Sequence, residues 1–200
     1  MRRVLGAIVF GTLSLSAAGL GQVPTRAIDQ VIPLSYGINS VRLTHDLGGT
    51  VVLAWRENYN AHSFDVLSIY AQGVRDKLVQ DARLQIVPLF SRSNGNNEQL
   101  FFRSDGGADC RLSDFRLVRM GSGDVAFITA DREFGQTYAD RQEVTFAYYR
   151  LTRNSSDSNF ADVGRPKYYF KLDHTQKAKK TYCDVNEAFK AELGLGEDGR

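Results

Sequence analysis

Two patterns of apolar and polar positions divide the chain. Residues 4–20 form an unbroken apolar and small-residue run behind a basic start at Arg2 and Arg3. Beyond it the pattern changes to short segments in which apolar and polar positions alternate with period two, as on half-buried strands. Residues 63–70 read as such a strand, and the apolar run 50–55 reads as a strand before it, joined to it by the polar stretch 56–62. Residues 83–90 read as a third, with Pro88 near its end or edge. A turn cluster at 91–97 leads to a short strand at 99–102. Residues 115–120 and 124–130 flank Gly121-Ser122-Gly123, the clearest hairpin in the chain. Strands at 143–151 and 167–172 follow, separated by the polar loop 154–162.

The period changes once more, near the end. Val185, Ala188, Phe189 and Leu193 fall at helical spacing. Asp184 stands at the N-cap position, with Glu187 three residues later as in a capping box. Gly194 and Gly196 stop the helix. About eight short strands followed by one helix predict a mainly β fold, an antiparallel β-sandwich or open barrel with one C-terminal α-helix.

The N-terminal run is too short and too rich in Gly and Ser for a membrane span, and its basic start marks a secretory signal peptide. The expected organisation is a signal peptide over residues 1–21, cleaved near 18–21, a single β-rich domain over 22–195, and a disordered tail over 196–200. The expected location is the periplasm. The full chain carries 25 basic and 23 acidic residues; the signal holds two arginines and no acid, so the remainder has no formal net charge. That balance gives no electrostatic reason to expect nucleic acid or an anionic membrane surface as a partner.

Export changes the reading of Cys110 and Cys183, the chain's two cysteines. In an oxidising compartment an even count predicts a Cys110–Cys183 disulfide. Two buried free thiols are the alternative. A metal pair lacks a CxxC or Cys-His spacing.

The search for chemistry excludes more than it finds. His45, His62 and His174 are far apart, without HxH or HExxH spacing. No GxSxG elbow and no Ser-x-x-Lys nucleophile motif occurs. The chain is therefore expected not to be an enzyme and to need neither cofactor nor metal. Asp105-Gly106-Gly107-Ala108-Asp109 offers two carboxylates for Ca²⁺, but reads better as a solvated turn. Lys177-Ala178-Lys179-Lys180 reads as a solvated basic loop. The most varied polar group lies between the first two strands. Arg56, Glu57, Asn60 and His62 are the candidate contacts to a polar ligand or partner, because loops held by a rigid sheet commonly carry binding residues. The competing reading is a hairpin loop whose side chains cap backbone groups.

Three phrases carry a family resemblance: RENYNAHSF at 56–64, GGADCRLSDF at 106–115 and YCDVNEAF at 182–189. With the signal peptide and the YYF at 168–170, they resemble the periplasmic carbapenem self-resistance proteins of the CarG type. The resemblance implies a β-rich, homodimeric protein that protects against a carbapenem without hydrolysing it, by binding a cell-wall enzyme or the β-lactam itself. It supplies no site residues. The other function class is an envelope structural or interaction module without an antibiotic role.

Overall fold

The computed structural model describes residues 28–59, 63–75, 82–91, 97–105, 109–154 and 164–196. The predicted signal peptide lies outside the described residues, as do residues 92–96 of the turn cluster and residues 197–200 of the predicted tail. The elements are β1 (Ile28–Val31), β2 (Gly37–Arg42), β3 (Gly48–Arg56), β4 (Phe64–Arg75), β5 (Ala82–Ile86), β6 (Leu89–Phe90), β7 (Glu98–Gln99), β8 (Phe102–Asp105), β9 (Ser113–Met120), β10 (Val125–Arg132), β11 (Gln142–Arg153), β12 (Tyr168–Tyr182) and α1 (Val185–Leu193).

The strands form two sheets, and neither closes into a barrel, so the sandwich is the alternative that holds. The larger sheet has the order β1-β9-β10-β11-β12-β6-β7. The smaller has the order β2-β3-β4-β5, with β8 also on β4. The long strand β4 shares one edge between two partners: Phe64 to Leu67 pair with β8, and Tyr70 to Arg75 with β5. All pairings are antiparallel except β6 with β12.

Alternation along the strands builds two cores. Val51, Leu53, Leu67 and Ile69 of the smaller sheet face Leu117, Phe127 and Phe170 of the larger. Phe115 and Phe127 stack at 5.5 Å, and Phe102 meets both rings edge-on. The opposite face of the larger sheet presents Val118, Ile128, Val144 and Phe146 to Val185, Ala188 and Phe189 of α1. With helix on one side and sheet on the other, residues 113–118 and 125–130 are buried without interruption. Such double cover replaces the half-buried alternation of a two-layer sandwich.

The helix begins and ends where its residues predict. Asp184 accepts the Asn186 N–H at 2.7 Å. Gly194 takes the left-handed conformation, φ 69°, that a Cβ would strain. Cys110 and Cys183 form the predicted disulfide, with Cα atoms 5.6 Å apart, tying the approach to β9 to the start of α1. Val185 N–H donates to the Arg111 carbonyl beside it. Gly196 accepts a hydrogen bond from the Arg116 Nε at 2.8 Å.

Several element assignments need correction. The single strand predicted over 83–90 is two strands in different sheets. Val87 still donates to Ile69 in the smaller sheet, whereas the Pro88 carbonyl accepts from Phe170 in the larger. Proline cannot continue the donor ladder, and the chain changes sheets there. The strand predicted over 99–102 is likewise two, β7 and β8, separated by Leu100 and Phe101. Lys177-Ala178-Lys179-Lys180 is not a loop but part of the fifteen-residue β12, paired with β11. The lysine run extends because β11 supplies a partner, with Lys177 meeting Glu143 of that strand. Strands β1 and β2 have no counterpart in the prediction.

Candidate binding cleft

Arg56 ends β3 and lies in register with Phe64, which begins β4, so both side chains share the outer face of the smaller sheet. Arg103 of β8 is in register with Val66, on the same face. The two guanidinium carbons stand 5.0 Å (Arg56) and 4.6 Å (Arg103) from the centre of the Phe64 ring, within cation–π range. Arg103 also pairs with Asp105 at 2.7 Å. Arg56 donates to the amide oxygen of Asn58 at 3.3 Å. Leu112 and Tyr138 approach from the larger sheet and complete a cleft of about 540 Å³.

The walls of this cleft are held from both sheets. Leu112 N–H donates to the Asp105 carbonyl, and the Leu112 carbonyl accepts from Arg132 N–H. Tyr138 sits in the loop between β10 and β11, which is organised around Asp140. The Asp140 carboxylate accepts the Gln136 N–H at 2.6 Å, and the Thr137 N–H and hydroxyl at 2.9 Å each. Those bonds, led by the one from the Thr137 backbone, hold its carboxyl below the usual range. Arg132 donates to the carbonyls of Tyr138 and Asp140. A Cβ at Gly135 would come within 2.6 Å of the Asp140 side chain, so the loop's close turn requires glycine there. Phe134 and Tyr138 meet edge-on at 5.1 Å.

A chain of buried charges underlies this end of the sandwich. Asp65 accepts from the Tyr36 hydroxyl at 2.9 Å and from Arg111 at 3.1 Å. Arg111 also lies 3.5 Å from Asp114, which pairs with the buried Arg116 at 3.0 Å. Arg116 reaches Asn186 and stacks on Phe189, so the chain ends on the helix. These groups are consumed by one another and act as scaffold.

A second cavity of about 650 Å³ opens between the sheets and shares Arg103 and Asp105 with the first. Asp131 lines it, reachable by water yet surrounded on most sides by protein. Loss of solvent raises its carboxyl from 3.8 to about 6; a hydrogen bond from Thr129 opposes the shift and the charge of Asp105 adds to it. Tyr149, on the same cavity, is raised by burial and then by Asp131.

Of the predicted contacts, Arg56 lines the cleft. Glu57 is exposed and is not among the cleft's lining residues. Asn60 and His62 lie outside the described residues. Phe64, Arg103, Leu112 and Tyr138 were not anticipated. Arg56, expected in the loop 56–62, ends β3 in register with Phe64; neither that register nor the approach of Arg103 and Tyr138 follows from alternation along a strand. His45 pairs with its exposed neighbour Asp46, and His174 stacks on Tyr148 at 4.3 Å while bonding Asp173 at 2.8 Å. Among the described residues no group of three His, Cys, Asp or Glu side chains is placed to hold a metal ion. Asp105 of the acidic turn is engaged by Arg103, and residues 106–108 lie outside the described residues. No helix among the described residues is long and apolar enough to cross a membrane.

Among solved structures, the chain is similar to the crystal structure of CarG, with 23% identity, 84% of this chain and 99% of that chain covered, and a TM-score of 0.63. The fold is CarG-like. At this identity the likeness with CarG is one of fold alone, and it spans nearly all of the CarG chain. No protein-family profile and no curated protein matches the chain. The expectation of a β-rich fold drawn from the CarG-type phrases is thus met at the level of fold.

Proposed function

We propose that this chain is an exported, periplasmic protein that protects against a carbapenem by binding rather than by hydrolysis. The observation that carries the reading is the CarG-like fold, which extends over 84% of the chain; the three phrases that resemble carbapenem self-resistance proteins support it from the sequence. Fold alone does not specify function, so the reading needs a site as well. The cleft beside Phe64 provides one: an aromatic ring between two guanidinium groups, at the edge of a rigid sheet. Its groups bind and orient.

The test is the carbapenem sensitivity of a susceptible Gram-negative host that exports the chain, with a version lacking residues 1–21 as control. Protection only on export is the expected result, together with no consumption of the carbapenem by purified protein. Folded protein in the periplasm without any change in sensitivity would overturn the reading in favour of an envelope interaction module. Turnover of the drug would replace binding by catalysis.

A further inference from the structure

We infer that the cleft beside Phe64 binds a small organic carboxylate, held by Arg56, with Tyr138 and Leu112 against the ligand's apolar body. The inference rests on the proposed binding role and names the ligand class. It begins with the charges. Arg103 and Asp105 neutralise one another at 2.7 Å. Arg56 has no carboxylate partner among the described residues and donates to a neutral amide, that of Asn58. The cleft therefore holds one positive charge in excess, which suits one monoanion.

Geometry narrows the class further. The Phe64 ring supports the Arg56 guanidinium at 5.0 Å and limits the orientations of a long side chain. A planar guanidinium can present two N–H groups to the two oxygens of a carboxylate. Pre-orientation lowers the entropy lost when that contact forms. The volume of about 540 Å³ lies in the range of small-molecule sites, and its apolar lining comes from Phe64, Leu112 and Tyr138. A cationic ligand would meet the excess charge unfavourably, and a neutral one would leave Arg56 unpaired.

The probes are benzoate, methyl benzoate, a carbapenem, and the same carbapenem esterified at its carboxylate, followed by calorimetry and ligand-observed NMR. Benzoate and the carbapenem are expected to compete for one site, and both esters to bind at least about tenfold more weakly, as loss of a charge-assisted contact predicts. Arg56→Gln should weaken both acids about tenfold or more, and Arg56→Lys by less, because it keeps the charge but loses the fork. Thermal melting checks that both variants are folded. Benzoate bound through Arg56 without carbapenem binding would support the carboxylate site and remove the antibiotic from it. Carbapenem bound equally well by Arg56→Gln, or equally well as its ester, would overturn the site while leaving protection by binding intact. Failure of both acids to bind at millimolar concentration would overturn the inference, whatever the sensitivity assay returns.

Discussion

Replacing Arg116 by Met should be among the most damaging single changes outside the apolar core. Arg116 is 1% exposed, on the face of β9 that α1 covers. Its Nε donates to the Gly196 carbonyl at 2.8 Å, Nη1 to Asp114 at 3.0 Å and to the Phe115 carbonyl at 2.7 Å, and Nη2 to Asn186 at 2.7 Å. The guanidinium carbon stands 4.6 Å from the Phe189 ring. Methionine fills much of the same volume but supplies none of these donors. Asp114, 2% exposed at its side chain, then loses the nearer of the two guanidinium groups that offset its desolvation. Removing one member of a buried ion pair costs about 3–5 kcal/mol. For a domain of this size that corresponds to a Tm lower by roughly 10 °C. Urea and thermal unfolding of Arg116→Met, monitored by circular dichroism, measure the loss. Adding Asp114→Asn should recover part of it, because the buried carboxylate, left with the more distant Arg111, is then gone; the coupling between the two positions should be about 1 kcal/mol or more. A loss below about 1 kcal/mol for the single variant, or strict additivity of the pair, would refute the assignment of Arg116 as the post that anchors the helix.

Two further predictions follow from the same arrangement. Replacing both cysteines by Ser should lower stability by about 4 kcal/mol on the chain-entropy model, since the bridge spans a sequence separation of 73; two titratable thiols in the unreduced, denatured protein would contradict the bridge. Asp131→Asn should stabilise the protein at neutral pH, because the folded pKa of about 6 lies above the ordinary 3.8. The cost of holding that carboxylate ionised is absent below pH 3.8, grows between 3.8 and 6, and is complete above 6. Allowing for the water that reaches Asp131 in the cavity between the sheets, the gain is about 1–2 kcal/mol at pH 7. Unfolding curves at pH 7 and pH 4 test the sign, and an equal gain at both would count against the shift.

Much of this molecule was legible one segment at a time. Alternation gave most of the long strands, and the flanking residues gave the hairpin at Gly121-Ser122-Gly123. Asp184 and Gly194 gave the helix ends. Each of those signals is local: a side chain's face depends on its neighbours two or four positions away, and a cap on the residues of one turn. What local pattern did not carry is which segment lies beside which. Residues 83–90 read as one strand because Pro88 marks a local interruption but not that Ile86 pairs with Tyr70 and Leu89 with Phe170 in the other sheet. The lysines at 177, 179 and 180 read as a loop, yet β11 extends far enough to pair with Lys177 and, past an irregularity in register, with Thr181. Asp114 and Arg116 are charged residues buried on the side of β9 that α1 covers, a burial the local pattern of the strand does not show.

The same division holds for the cleft. Arg56 was visible as part of a chemically mixed loop. Its relation to Arg103, 47 positions away by their numbers, exists only because β8 pairs with the first residues of β4. Tyr138 arrives from the other sheet through a loop that Asp140 and Arg132 hold in place. Sequence by itself determined most of the long strands, the ends of the helix and the cysteines available for a bridge, since these follow from short-range sterics, burial period and covalent chemistry. The tertiary structure alone decided which charges are consumed in the interior and which remain at the cleft, because pairing between distant segments is set by the packing of the whole chain.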